Sequence, residues 1–262
     1  MSAPLLAGCQ FLSLRQPFTP RILATISQTL KARAPTTCTQ ADKEPVRARA
    51  GVLVPLCNVD DVPGILFEVR GKALRTHSGE VSFPGGRVDD NDASILQAAL
   101  RETHEELGIV PERVEVLGEF GPVERTVKGD MRVWPYVGFI HRDVSCHQSG
   151  PDDPLPSIDL EAVREQKALA EVADVFHLPL AEIKARIRPS HFRGHRPYNP
   201  VEVSDLAIPG RYSAQTRNSP LQPSDEDDSE IGPSGDPRAK LEIWGLTGWY
   251  LTLLTRIMQG EM

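Results

Sequence analysis

The chain has 262 residues, room for one well-cored domain with extensions or two small ones at roughly 100–200 residues per domain. Lys and Arg total 29 against 36 Asp and Glu, a net charge of −7, so no global basic field exists to attract nucleic acid or an anionic membrane. The cysteines, Cys9, Cys38, Cys57 and Cys146, are far apart with no Cys-x-x-Cys and no Cys/His cluster; this excludes a zinc ribbon, a dithiol redox site and a disulfide framework, and makes a reducing, intracellular compartment the default.

Residues 1–41 contain no Asp or Glu but carry Arg15, Arg21, Lys31 and Arg33 among many Ser and Thr, the composition of an organelle-targeting presequence, mitochondrial or peroxisomal. Ile22, Ile26 and Leu30 recur every four residues, so the same stretch also reads as an amphipathic helix packed on the domain C-terminal to it. Residues 1–47 are therefore a leader or a helix, ahead of a domain at 48–258. Gly51 to Leu56 and Gly64 to Val69 are short apolar runs that read as strands, with Asn58-Val59-Asp60-Asp61 as the turn. Residues 92–107 lack Gly and Pro and carry a helical period, with Asp92 as the expected N-cap and Gly108 as the stop. Val114 to Leu117 and Met131 to Ile140 read as further strands, and Pro135 should then lie at a sheet edge or bulge. Residues 201–238 are rich in Pro, Ser and charge, with five acids among the six residues Asp225 to Glu230; they read as a mobile surface insertion. A buried C-terminal helix comes after Trp244. Its apolar stretch, residues 243–255, is 13 residues long, short of the roughly 20 that span a bilayer. Trp134, Trp244 and Trp249 read as core residues.

Chemistry is concentrated on the helix at 92–107. At about 100° per residue, Leu96, Leu100, Thr103 and Leu107 fall within roughly 60° and form the expected core stripe. Glu102, Glu105 and Glu106 project together from another side, with Glu102 and Glu106 one turn apart. Like charges at that spacing repel. Arg101, four residues from Glu105, can relieve part of the repulsion but cannot neutralise three acids, and a hard divalent cation taking carboxylate oxygens would. Upstream, Phe83-Pro84-Gly85-Gly86-Arg87 is a glycine turn that lets backbone approach a ligand closely.

Together, the Phe83–Arg87 turn and Arg101-Glu102-Thr103-His104-Glu105-Glu106-Leu107-Gly108-Ile109 resemble the Nudix box, the glycine-loop-helix signature of hydrolases that cleave a nucleoside diphosphate linked to another group. R-E-x-x-E-E-x-G-[aliphatic] matches at every fixed position. Gly86 and Arg101 are 15 apart instead of 14, with Asp92 where the upstream Glu of the general box stands. That spacing resembles the coenzyme A-hydrolysing branch, whose upstream signature, L-L-T-x-R-[SA]-x3-R-x3-G-x3-F-P-G-G, is matched by Arg70, Arg75, Gly79 and Phe83 to Gly86. The chain departs from it at Gly71, where Ser or Ala is usual, and at Phe67-Glu68, where Leu-Thr is usual. The resemblance covers about residues 48–200 and 240–258.

The resemblance implies an α/β fold, the Nudix α/β/α sandwich with a mixed sheet. It also implies hydrolysis of coenzyme A or acyl-coenzyme A as substrate, with Mg²⁺ or Mn²⁺ as cofactor. Glu102 and Glu106 are the expected metal ligands, with Glu105 as a further ligand or the water-activating base. Arg101 is expected to orient carboxylates, and Arg70, Arg75, Gly85 and Gly86 to meet substrate, the arginines through the extra phosphate of coenzyme A. His77 is expected to fix the turn, His104 to lie apart from the glutamates, and Glu80 is a lesser metal candidate. Two rival readings stand beside this one: a Nudix hydrolase of another compound such as ADP-ribose or NADH, and a non-catalytic Nudix-fold binding protein. The clustered glutamates speak against the second, because unused like charges carry a repulsive cost.

Overall fold

The computed structural model describes residues 13–33, 48–71, 77–126, 131–144, 149–188, 190–192, 196–198, 200–207 and 240–260. In chain order the first elements are α1 (Pro20–Arg33), β1 (Ala48–Val59), β2 (Val62–Arg70), β3 (Val81–Ser82), β4 (Gly85–Arg87) and α2 (Ile95–Leu107). They are followed by β5 (Val114–Glu119), β6 (Glu124–Arg125), β7 (Met131–Ile140), α3 (Leu160–Gln166), β8 (Val172–Pro179) and α4 (Ile183–Arg186). The chain closes with β9 (Ser190–Phe192), β10 (Arg196–Tyr198), β11 (Val201–Glu202), β12 (Glu242–Ile243) and α5 (Gly245–Gln259). Among the described residues no helix is long and apolar enough to cross a membrane.

The main sheet is mixed, as expected. Its order is β3-β2-β1-β7-β5, with β8 on β2, β4 on β1 and β6 on β7; β1 and β7 run parallel and the other pairs antiparallel. Strand residues alternate between faces. Val54, Leu56, Ile65, Phe67 and Val69 pack with Leu23, Ile26 and Leu30 of α1 and Tyr250, Leu251 and Leu254 of α5. Leu53, Cys57 and Leu66 point the other way, to Ala99 and Leu107 of α2 and Val163 of α3. Helices thus cover both faces, which makes an α/β/α sandwich. The segment read as presequence or packed helix is, over Pro20–Arg33, a helix on this core.

Several local expectations need correction. The turn joining β1 to β2 is Asp60-Asp61 alone, both at positive φ (49° and 60°), a backbone that short acidic side chains tolerate in two-residue hairpins. Asn58 lies within β1 and is fully buried, bonded to Phe18 and Leu155. Pro135 sits in β7 between β1 and β5, not at an edge; its carbonyl accepts from Phe120 at 3.1 Å, and its nitrogen faces the gap where pairing passes from β5, last at Tyr136, to β6, first at Val133. Residues 201–207 are not part of a mobile insertion: Val201 and Val203 are buried and β11 pairs with β12. The rest of that segment, 208–238, lies outside the described residues. Trp134 and Trp244 are only half-buried, and Trp249 is exposed.

Candidate active site

α2 begins at Ser94, not Asp92. Ser94 Oγ accepts from the Gln97 N–H at 3.0 Å, while Gln97 Oε1 reaches back to the Ala93 N–H at 2.7 Å, a reciprocal arrangement close to a capping box. Gly108, at φ 71°, ends the helix in the left-handed conformation and donates to the His104 carbonyl. The buried face consists of Ala98, Ala99, Thr103, Glu106 and Leu107; Leu96 and Leu100, expected in the core stripe, are half-buried. The reason lies in Gly51 of β1. A methyl group there would stand 2.5 Å from the Ile95 carbonyl oxygen and 3.1 Å from the Ala99 Cβ, so the small residues of α2 lie directly on a glycine and the helix rolls toward its carboxylates.

That roll sets the three glutamates at different depths. Glu106 is buried, Glu102 is partly buried and Glu105 is 54% exposed. β4 runs beside them, paired to β1 through Ala50↔Arg87, Gly51↔Gly86 and Val52↔Gly85. The Gly85 N–H donates to Glu106 Oε2 at 2.9 Å, and a methyl group at Gly86 would lie 2.4 Å from the Glu102 carboxyl carbon. The glycines serve close approach to the acids. Arg101 ties the same parts together: Nε and Nη2 bond Asp92 at 3.0 Å each, Nη1 bonds Glu102 at 3.1 Å and Glu105 at 2.8 Å, and Nη2 also donates to the Arg87 carbonyl at 3.1 Å. Asp92, freed from capping, is held well below the usual carboxylate range by Arg101.

A further carboxylate belongs to this group. Glu68 of β2 follows Leu66 on the face toward α2 and is fully buried; Ser82 Oγ of β3 donates to its Oε1 at 2.8 Å. Arg70 Nη1 lies 3.6 Å from Glu68 Oε1 and 3.8 Å from Glu106 Oε1. Burial pushes the Glu106 carboxyl well above its ordinary value, and the charge of Glu68 adds to this. Glu68 and Glu102 are raised for the same first reason, and Glu171, in the turn before β8, repels both.

Residues 47–193, more than half of the chain, match the family model described as the NUDIX domain. The chain belongs to the NUDIX family. The Nudix hydrolase NudL of Enterobacter sp. (strain 638), itself uncharacterized, is 42% identical over 136 residues, covering 52% of this chain and 59% of that one. Its counterpart from Cronobacter sakazakii is 44% identical over 134 residues, covering 51% and 58%. The chain thus spans little more than half the length of these relatives. The MutT/nudix family protein of Enterococcus faecalis, known from a crystal structure, shares 25% identity over 52% of this chain and 46% of that one, with a TM-score of 0.34.

Within this Nudix domain the sequence-derived residues separate into groups. Glu102, Glu105, Glu106, Arg101, Gly85 and Gly86 come together, and Arg70 joins them against the carboxylates. Arg75 lies outside the described residues. His77, at φ 57°, pairs its Nδ1 with Glu80 Oε2 at 3.0 Å; His104 is exposed. Among the described residues no three His, Cys, Asp or Glu side chains converge as a ready metal site; Glu102 and Glu105 are bonded to Arg101. Glu68 and Glu171 are additions that the motif alone does not announce. The available cue for Glu68 is a lone acid inside the apolar run Gly64 to Val69, since a charge in a strand buried on both faces requires a reason.

Proposed function

We propose that this protein is a divalent-metal-dependent hydrolase of the diphosphate in coenzyme A or acyl-coenzyme A, releasing adenosine 3′,5′-bisphosphate and 4′-phosphopantetheine or its acylated form. The observation that carries the substrate assignment is the run Arg70 to Gly86, with its two arginines, its glycine and its Phe-Pro-Gly-Gly turn, which leads from β2 directly onto the glycine strand beside Glu102 and Glu106.

The donor set fits Mg²⁺ or Mn²⁺. It consists of carboxylate oxygens, the hard ligands such ions prefer, and it is short of positive charge: burial raises Glu102 and Glu106, and Glu68 Oε2 is buried with no hydrogen-bond partner among the described residues. Glu102 and Glu106, with Glu105, would hold the ion, which when bound screens the diphosphate and lowers the pKa of an attacking water. The chain's own residues prepare that site. The Gly85 N–H fixes one Glu106 oxygen, and Gly86 leaves the space that Glu102 fills. Arg101 anchors the helix to Asp92 and the Arg87 carbonyl, which sets the carboxylates relative to the glycine strand. Glu105, the most exposed of the three, is assigned as a further ligand or as the base that takes a proton from water. Arg70 and Arg75 are assigned to the 3′-phosphate that distinguishes coenzyme A from plain ADP derivatives.

The test is product analysis after incubating the purified protein and Mg²⁺ with coenzyme A, acetyl-coenzyme A, ADP-ribose and NADH in parallel. Adenosine 3′,5′-bisphosphate arising selectively from the coenzyme A compounds is the expected result. AMP from ADP-ribose or NADH instead would overturn the substrate assignment and keep the chemistry; no product from any of them would favour a binding protein.

A further inference from the structure

The geometry points to Glu68 as a metal ligand of this site, a carboxylate contributed by β2 in addition to those of the Nudix helix. This rests on the metal-dependent reading above and deepens it.

Strand alternation decides where Glu68 points. Leu66, two residues earlier, packs with Ala99 and Leu107 under α2, so Glu68 faces the same helix one step nearer the glycine strand. Its side chain is 1% exposed and that of Glu106 is 5% exposed. An ionised carboxylate so placed needs a full set of partners, because an unpaired buried charge is among the most expensive groups a fold can hold. Glu68 lacks that set. Oε1 has Ser82, but Oε2 is buried and has no partner among the described residues. Glu106 takes the Gly85 N–H on Oε2 and has Arg70 Nη1 3.8 Å from Oε1.

Among the described residues the cation between them is Arg70, and it is inadequate. Arg70 Nη1 stands 3.6 Å from Glu68 and 3.8 Å from Glu106, beyond the 2.7–2.9 Å or so of a charge-assisted hydrogen bond, and the buried Arg70 Nε is itself unpartnered. Arg101 cannot help, since its nitrogens are committed to Asp92, Glu102, Glu105 and the Arg87 carbonyl. Two buried carboxylates on neighbouring elements therefore approach one spot, with Arg70 Nη1 at 3.6 and 3.8 Å from them, and Glu68 Oε2 has no hydrogen-bond partner among the described residues. A small divalent ion that binds carboxylate oxygens supplies what is missing. Glu68 also stands where the similar sequence pattern has Thr, so this ligand is a feature of the present chain.

Manganese titration followed by the EPR signal of free Mn²⁺ tests the assignment without reference to turnover. The samples are the full-length wild type, Glu68→Gln, Glu68→Thr and Glu102→Gln, each checked for cooperative thermal unfolding. Loss of a ligand is expected to weaken Mn²⁺ binding by about tenfold or more in both Glu68 variants, as in Glu102→Gln. Gln preserves shape and the Ser82 bond, and Thr restores the pattern residue, so one folded variant suffices. If a folded Glu68 variant binds Mn²⁺ within about twofold of wild type while Glu102→Gln does not, Glu68 is a structural carboxyl and the inference fails alone. If wild type binds no Mn²⁺, the inference fails together with the metal-dependent reading beneath it.

Discussion

Gly86 and Glu102 occupy adjoining space: a methyl group on Gly86 would meet the Glu102 carboxyl carbon at 2.4 Å and both of its oxygens within 2.8 Å. The obstacle is the far end of a flexible side chain, which can swing away. Gly86→Ala is therefore expected to fold with nearly unchanged thermal stability while displacing Glu102, and a displacement of this order costs on the order of 100-fold in turnover. Gly85→Ala should behave in the opposite way. Gly85 has φ 149°, and a methyl there would meet the Gly51 carbonyl oxygen at 2.4 Å, backbone that cannot yield. A loss of about 1–3 kcal/mol of stability is expected. Thermal unfolding and kcat measured on both variants separate the two glycines.

The Glu106→Gln variant should lose function and gain stability. Gln keeps an oxygen for the Gly85 N–H but removes a charge that is buried first and repelled by Glu68 second. A carboxyl whose folded pKa is raised costs stability once pH exceeds its ordinary value, because the unfolded chain releases that proton more readily. In EDTA the variant should match wild type near pH 4 and exceed it near pH 8 by roughly 1 kcal/mol, or some 2–4 °C. Turnover with Mg²⁺ should fall more than about 100-fold. A variant that stays active and is no more stable at pH 8 would remove Glu106 from the site.

Asn58 holds the N-terminal segment to the sheet. Its Oδ1 accepts from the Phe18 N–H at 2.8 Å, and its Nδ2 donates to the carbonyls of Phe18 at 3.2 Å and Leu155 at 2.8 Å. Asn58→Ala strips partners from buried backbone groups, at about 1–3 kcal/mol each when left unsatisfied. A destabilisation of about 3 kcal/mol is expected by urea titration, accompanied by faster amide exchange in α1, whose entry the Phe18 contacts fix. Unchanged exchange in α1 would show that Leu23, Ile26 and Leu30 hold the helix without this clamp.

What is legible in the one-dimensional chain is local. Glu102, Glu105 and Glu106 at helical spacing, Arg101 beside them and a double glycine upstream identify the chemistry, since each acts through neighbours close in sequence. Contacts set by sheet pairing are hidden. A helical wheel assigns the core side to the largest apolar residues, but Gly51, 44 residues before Ile95, admits Ala99 and turns α2 so that Glu106 is buried and Leu96 and Leu100 are left at the margin. In the sequence Glu68 is only a departure from a pattern, because pairing with β3 is what places it against Ser82 and under α2. Residues 201–207 stand next to a Pro-, Ser- and acid-rich segment and are averaged into it, yet Val201 pairs with Ile243 and Val201, Val203 and Ala207 are buried. Composition averages over a window and cannot see a partner 42 residues away.

His177 supplies an acid-side stability signature separate from the glutamates. Its imidazole lies among β8, β2 and the end of β1, opposite Leu66 in the sheet, where burial pushes its pKa from an ordinary 6.5 down to about 4 despite a bond to the Cys57 carbonyl and the nearby charges of Asp60 and Glu182. Its Nε2 has no hydrogen-bond partner among the described residues, so the native state holds the ring neutral. The unfolded chain binds a proton as pH falls through 6.5, and the folded protein does so only near 4. Stability is therefore whole above the first value and declines toward the second, by on the order of 3 kcal/mol for this one group. The raised carboxyls of Glu68 and Glu106 act in the opposite direction and are the same in wild type and variant. Urea titrations of wild type and His177→Gln at several pH values between about 4 and 7 isolate the difference. The expected result is a variant whose stability relative to wild type improves steadily as pH falls; two parallel curves would mean that His177 takes up its proton in the folded state as easily as in water.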